Sequence, residues 1–528
     1  MSAVTVLLPE SRRPPNGDGR RTAGQPYRAD GPAPEPPAGP PGPPAPHDPR
    51  FRDERDLRDH RTGRAGPKSW TRSGFWKRWA PMLPAVATVL VLCAPVQTGD
   101  VTASGKVTVP DAASLVLVVW CLVRLLRGRG GRLTGRAALV LGAPAVAFAV
   151  TTAASADPSA SLTGFARYLQ IFVVVPAALL LTMRDARDFR VLCGAMMLLG
   201  LVQGAVGVVQ YLTGTGASYM GQDIRAVGTF GALDVMGMST VVSYALVAAF
   251  ALGVAPAGTT SRRMRVCSLW CAAALTAPLV LSFSRGAWIA TALACAAVLL
   301  LSGVRRALLV LVTLAAAAVV VVGGAGVGSA MFEERVSSIF EVNSAPDRSV
   351  TDRYSLWAAA VSIWQSDPAT GVGPKNFPAH RDGHASLGLS SGSDTAGAGM
   401  HFQREPLLSP HNMYLLVLSE QGLVGSVAFV GGGAALGLCC MRRLHVARRA
   451  GRGYAADPAA AGEQHTSGAP GAADCGLVAA GLLVWQAVDF LYADIGGPST
   501  VLTAVVLGAV AWWALAVRPG ADGGTSFP

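Results

Sequence analysis

Ser409-Pro410-His411-Asn412-Met413-Tyr414-Leu415 is where a long polar insertion, from about Val327 to Pro410, gives way to an apolar run. A histidine with polar neighbours at such a boundary is expensive unless it binds or reacts with something, because hydrocarbon cannot solvate an ionisable group. The position fits a chain that crosses a membrane many times and carries its chemistry in and under the insertion.

Outward from that point, apolar stretches recur near 81–97, 111–126, 136–153, 164–182, 190–212, 235–255, 266–283, 286–303, 307–324, 411–431, 475–491 and 500–517. Each is about long enough to cross roughly 30 Å of hydrocarbon. The composition agrees: 51% of the 528 residues are hydrophobic and 14% charged, with a mean hydropathy of +0.40. An ordinary soluble domain carries about 25% charged residues. The expectation is an all-α integral membrane protein of about twelve transmembrane helices with one large extracytoplasmic loop.

The net charge of +12 is better explained by orientation than by nucleic acid, which is not an expected partner. Arg124, Arg127, Arg129, Arg132 and Arg136 share one connection; Arg184, Arg187 and Arg190 share another. Arg262, Arg263 and Arg265 form a third cluster, Arg305 and Arg306 a fourth, and Arg442, Arg443, Arg448 and Arg449 a fifth. All fall on one side if twelve spans alternate, the positive-inside pattern. Both termini are then cytoplasmic, and 98–110, 154–163, 213–234 and the insertion face outward.

The resulting domain plan is a disordered Pro/Gly/Arg-rich cytoplasmic tail over 1–80, nine spans over 81–324, the extracytoplasmic loop over 325–410, three spans over 411–517 with a cytoplasmic loop at 441–473, and a tail at 518–528. The first segment has too little apolar surface to offset the entropy of ordering it. Its first apolar run starts too late for a signal peptide. The run Trp70-Thr71-Arg72-Ser73-Gly74-Phe75-Trp76-Lys77-Arg78-Trp79 reads as a juxtamembrane anchor. None of the nine cysteines lies in the loop, which argues against a disulfide-stapled external domain.

Three residues stand out. Arg285, in Ser282-Phe283-Ser284-Arg285-Gly286, sits at an outward boundary with almost no loop around it; its guanidinium offers a fork of donors suited to phosphate, unless it only snorkels. Arg353 opens Asp352-Arg353-Tyr354-Ser355-Leu356-Trp357. Leu356, Ala360, Ile363 and Trp364 share one helix face, predicting an amphipathic helix against the membrane that stops before Asp367-Pro368. Arg353 either pairs locally or meets a phosphate. Gly371-Val372-Gly373-Pro374-Lys375-Asn376-Phe377 reads as a tight turn and lacks the Lys-Ser/Thr ending of a nucleotide loop. His380, His384, His401 and His411 have no zinc-site spacing. His411 either caps the following helix or takes a proton from a hydroxyl.

Taken in order, Arg225-Ala226-Val227-Gly228-Thr229-Phe230, Ser284-Arg285-Gly286, Arg353-Tyr354-Ser355-Leu356-Trp357, Gly371 to Phe377 and Ser409-Pro410-His411-Asn412 resemble the bacterial O-antigen ligase and O-antigen polymerase (Wzy-type) superfamily, over about Ala137 to the last span. The resemblance implies a GT-C-like polytopic glycosyltransferase. It implies that Arg285 and Arg353 contact the donor diphosphate, that His411 is the base and that Arg225 shapes the same cavity. Implied partners are an undecaprenyl-diphosphate-linked glycan donor, a glycan or other hydroxyl-bearing acceptor, membrane lipid, a flippase and a chain-length regulator. No cofactor or metal is implied. The long arginine-rich tail departs from lipopolysaccharide-directed members, so assembly of an exopolysaccharide or wall glycan by repeat-unit polymerisation is the first expectation. En bloc ligation of a completed glycan is the second. A polysaccharide or lipid transporter is the reading from another class, although it should place charge near the bilayer midplane.

Overall fold

A computed structural model describes residues 79–95, 108–219, 222–303, 307–310, 312, 348–386, 389, 393–397, 400–405, 407–456, 472–497 and 499–517. The N-terminal tail, most of the expected ninth span, the first part of the insertion, the Arg305-Arg306 pair, residues 457–471 and the C-terminal tail lie outside the described residues.

The described chain is mostly helical. α1 (Leu83–Leu90) is flanked by 3-10 turns, and α2 (Val109–Leu126) and α3 (Gly135–Ala153) follow. α4 (Pro158–Leu169) runs through a π turn, Gln170–Val174, into α5 (Val175–Thr182). Next come α6 (Ala186–Thr213), α7 (Gly237–Gly253), α8 (Arg262–Leu281) and α9 (Arg285–Ser302). The insertion contributes α10 (Arg348–Ser366) and α11 (Phe377–His384), before α12 (Met413–Ala456), α13 (Ala473–Asp489) and α14 (Thr500–Leu515). Seven helices among the described residues are long and apolar enough to cross a membrane, and three shorter apolar ones accompany them.

Polar caps set where these helices begin. Thr108 and Asp111 form a capping box on α2, Asp157 accepts from Ser159 and Ala160 at the start of α4, and Asp185 accepts from Arg187 and Asp188 on α6. Each cap satisfies N–H groups that an apolar surround would leave orphaned.

Two opposite ends result. At one, Arg124 donates to Thr182 O (3.0 Å), Arg190 pairs with Asp474 (2.7 Å), and Arg443 donates to Ala516 O (3.0 Å). The described clusters around Arg124, Arg190 and Arg443 therefore meet there. At the other end gather the turns around 155–161, 225–234, 282–285, 409–412 and 490–499.

The all-α expectation needs one amendment. A four-stranded antiparallel sheet, ordered β2-β1-β3-β4, joins β1 (Ala217–Tyr219) and β2 (Gln222–Arg225) to β3 (Ser393–Gly397) and β4 (Met400–Glu405). Ala217 pairs with both Arg225 and Gly397, which ties the connection before α7 to the insertion. These strands are too short to show a two-residue alternation in the sequence.

α10 also differs from expectation in what covers it. Leu356, Ala360 and Ile363 are buried against Phe148, Tyr168, Phe377, Met413 and Val417, so protein takes up the apolar face that was assigned to the membrane.

The helix after His411 is broken. Gly422 has φ 58° and ψ −159° inside α12, and a break inside an apolar helix frees backbone groups that lipid cannot satisfy. The segment after α10 supplies the partners. Leu423 N–H donates to Pro368 O (2.9 Å) and Val424 N–H to Ala369 O (3.1 Å). In return Val372 N–H donates to Ser419 O (3.2 Å) and Gly373 N–H to Glu420 O (2.7 Å). The approach needs glycine: a Cβ on Gly422 would stand 2.4 Å from Ala369 O, and one on Gly371 2.5 Å from Gln421 N. The Glu420 carboxylate then accepts from Phe377 N–H (3.3 Å) and the Tyr168 hydroxyl (3.2 Å). Asn376 donates to Ser155 and Ser161, both at 3.0 Å. The turn from Gly371 to Phe377 is thus a backbone clamp.

Gly422→Ala should lower stability by at least about 1–3 kcal/mol, since it adds a strained left-handed residue to a steric clash. Gly433→Ala, where a Cβ meets nothing within 4 Å, should be neutral or slightly stabilising. Thermal unfolding in detergent compares the two, and an unchanged midpoint for Gly422→Ala would contradict the clamp.

Candidate active site

His411 is held by its neighbours on every side of a tight turn. Its backbone is left-handed (φ 48°), a conformation that costs a non-glycine residue about 1–3 kcal/mol and persists only when the surroundings impose it. Ser409 donates a short hydrogen bond to Asp494 Oδ2, while His411 N–H donates to Ser409 Oγ (3.4 Å). Asn412 Oδ1 accepts from Leu415 N–H (3.1 Å), capping α12. Met413 N–H donates to Phe490 O (2.8 Å) and Ala493 O (3.1 Å). Trp357 Nε1 donates to Pro410 O (2.9 Å).

The turn leaves the imidazole beside an acid. His411 Nδ1 lies 4.0 Å from Asp494 Oδ2, with 41% of the histidine side chain and 10% of the aspartate side chain accessible. The ring occupies a recess that is open to a ligand yet walled by protein. Desolvation there lowers the His411 pKa below its ordinary range; Asp494 opposes this and Arg353 adds to it. The result keeps the ring neutral enough to accept a proton while a carboxylate waits to stabilise the imidazolium.

Arg353 reaches the same place because it precedes Trp357 by one helical turn on α10. Burial lowers its pKa, and the charges that act against burial are Asp494 and Tyr492. Among the described residues its guanidinium makes no hydrogen bond to protein.

Arg285 is the first residue of α9, directly after its cap, Ser284, which accepts from Ala287 N–H (3.4 Å). The preceding Phe283 is left-handed (φ 48°). Gly286 lies under Tyr492, so that a Cβ would stand 3.2 Å from the ring. Tyr492 therefore connects the start of α9 to the Arg353 and His411 group. Arg225 braces the turn from behind: its Nε donates to Ser282 O (2.9 Å), and Ala226 N–H donates to Leu281 O (3.1 Å). Gln203 and Gln210 hold the rest of that motif through Thr229 N–H and through Val227 and Gly228 N–H. Arg225 is thus bonded to the turn that leads into Arg285.

The connection between α13 and α14, residues 490–499, is what sequence reading missed. It supplies Tyr492 and Asp494 and is pinned beyond them. Arg167 Nη2 donates to Gly497 O (3.4 Å), and Ser499 N–H donates to Asp234 Oδ2 (3.2 Å). Burial pushes the Asp234 carboxyl up against the hydrogen bonds from Ser499 and Gly237. The available signal was a lone acid in a short connection between two apolar spans. His380 and His384 stand apart, engaged with Asn376 O (3.0 Å) and Ser362 Oγ (2.9 Å).

The arrangement is suited to moving a proton at His411 beside the Arg353 guanidinium, which is able to hold an anion. It contains no group of three metal-ligating side chains among the described residues. No curated protein matches the chain. The family model described as O-antigen ligase matches residues 270–430. That segment holds Arg285, Arg353 and His411, the clamp and the break at Gly422; Arg225 and Asp494 lie outside it. Over that segment the chain is similar to the Wzy-type O-antigen ligase and polymerase superfamily.

Proposed function

We propose that the protein is a membrane glycosyltransferase that moves a glycan from undecaprenyl diphosphate to an acceptor hydroxyl at the outer face, by en bloc transfer of a completed chain. The observation that carries this reading is the meeting of His411, Asp494 and an uncommitted Arg353 in one recess. The O-antigen ligase match favours en bloc ligation over the repeat-unit polymerisation expected first. Twelve spans, cytoplasmic termini and an extracytoplasmic site belong to the same proposal. They are supported by the gathering of the described clusters around Arg124, Arg190 and Arg443 at the end opposite His411.

In this mechanism His411 takes the proton of the acceptor hydroxyl, whose oxygen attacks the anomeric carbon. The bond from that carbon to the diphosphate oxygen breaks, and its electron pair leaves with the diphosphate. Arg353 and Arg285 hold the charge that develops there. Asp494 stabilises the imidazolium, which returns its proton to solvent or product. Inversion at the donor carbon follows from a single displacement. The step needs no metal by chemical necessity.

Mass spectrometry of undecaprenyl-linked glycans, with protein abundance checked, tests the reading. Deletion or His411→Ala should accumulate full-length lipid-linked chains; accumulated single repeat units would instead assign polymerisation, and an unchanged pool would shift weight to transport. With purified protein, His411→Ala should cost about 10²–10⁴-fold in kcat, and Arg353→Ala about 10²–10³-fold with weakened diphosphate binding. Asp494→Asn has a distinct signature in the pH–rate profile. The carboxylate favours the protonated imidazole, so its removal lowers the His411 pKa further and moves the acidic limb to lower pH. A limb that stays in place while activity falls would reduce Asp494 to a packing role.

A further inference from the structure

Arg167, in the last turn of α4, joins elements that are far apart in the sequence. Its Nη1 donates to Asp111 Oδ1 on α2 and to Gln170 Oε1 (3.1 Å). Its Nη2 donates to Gly497 O (3.4 Å), in the connection that carries Asp494. The α2 side holds the guanidinium in one orientation. Gln170 Nε2 donates to Asp111 Oδ1 (3.1 Å) and Ser114 Oγ (2.9 Å), while Asp111 Oδ2 accepts from Thr108 N–H (3.1 Å) and the Thr108 hydroxyl (2.7 Å). A planar fork of donors fixed along one edge presents its other edge in a set direction.

Gly497 is gripped from a second side. A Cβ there would stand 2.6 Å from Asp234 Oδ2, and the same oxygen accepts from Ser499 N–H (3.2 Å). The chain leading to this grip is short. Tyr492 N–H and Ala493 N–H still donate to Asp489 O at the end of α13, at 2.8 and 2.9 Å, so Asp494, Ile495 and Gly496 alone bridge the helix end to Gly497. Among the described residues, the hydrogen bond to the Asp494 side chain comes from the Ser409 hydroxyl. His411 Nδ1 stands 4.0 Å away, beyond hydrogen-bond length. The separation of acid and base is therefore set by where the connection is held.

Among the described residues, the titratable groups within the field of Asp494 are His411, Arg353 on α10, Tyr168 on α4, Glu420 on α12 and Asp489 on α13. The charges that act on His411 itself are Asp494 and Arg353. Arg167 thus reaches the base through the placement of Asp494.

We propose that Arg167 is a positioning residue for the transfer step: through Gly497 it sets the distance between Asp494 and His411, and Asp111 anchors its guanidinium. The inference rests on the transferase reading. It puts part of the control of the base on α2 and α4, outside the segment 270–430 that the family model matches.

The test reads the imidazole directly, in the full chain in nanodiscs. Diethyl pyrocarbonate acylates neutral imidazole, and 41% of the His411 side chain is accessible to it, so the acylation rate of the peptide holding His411 is followed against pH. Asp494 favours the imidazolium, so Arg167→Met should lower the midpoint by about 0.5 pH unit, a fraction of the roughly 1–3 that a close opposite charge confers. Asp494→Asn should lower it too, and adding Arg167→Met to Asp494→Asn should produce no further shift, as expected of two residues acting through one contact. Arg167→Lys, which keeps the charge and loses the fork, should show part of the effect. Asp111→Asn, which keeps the shape of the anchor, should act in the same direction and serves if Arg167→Met does not fold. A raised midpoint would mean that the arginine acts by its own field, because losing a cation favours the imidazolium. A raised midpoint, an unmoved one or full additivity with Asp494→Asn would each overturn the positioning role while leaving transfer by the unaltered protein untouched. If the unaltered protein consumes no polyprenyl-diphosphate-linked glycan, the transferase reading falls and takes the positioning role with it, even with midpoints that move as expected.

Discussion

A broken helix in an apolar surround must find new partners for the backbone groups it releases, and most of the site depends on how this chain meets that demand. At Gly422 the partners come from residues 368–373. Polar groups without partners at this depth would each cost several kcal/mol, so the exchange of four backbone hydrogen bonds fixes the register of the insertion against α12. α10 ends where that segment begins, which sets the height of Trp357 and Arg353. Trp357 then holds Pro410, and the His411 turn follows. The insertion is ordered from below by a backbone constraint, before any charged group contributes.

Electrostatics refine what the backbone has placed. Arg353 and Asp494 act on His411 with opposite sign while burial disfavours its charged form. A further carboxylate would raise the pKa of the imidazole, and a further guanidinium would lower it. Three non-glycine residues among those described have left-handed backbones, Phe283, Lys375 and His411. One lies beside Arg285, one in the clamp and one in the turn before α12. Strain of this kind marks positions where the surroundings override local preference.

Much of this was legible in the sequence. Hydropathy located the long described helices because membrane spans must be apolar along their whole length, and arginine clustering anticipated that the turns at Arg124, Arg190 and Arg443 share an end. The period of Leu356, Ala360 and Ile363 predicted the buried face of α10. Its burial partner was misread, because periodicity reports that a face is covered and says nothing of what covers it. The Gly422 break was hidden in a glycine-rich apolar run, where one more glycine carries no signal. Asp494 was missed for a different reason: it lies more than eighty residues beyond His411 and belongs to no periodic pattern. Arg225, expected from its motif to shape the same cavity, donates to Ser282 O in the turn before Arg285.

The connection at 490–499 touches Met413, Gly286, Ser409, Arg167 and Asp234 in turn. It works as a ruler, setting the spacing between the ends of α13 and α14 and the histidine turn to the length of a few residues. Such a segment has no slack to give. In chains descended from a common ancestor with this one, added or lost residues should collect elsewhere in the polar connections, while this short span keeps its length even as its side chains change.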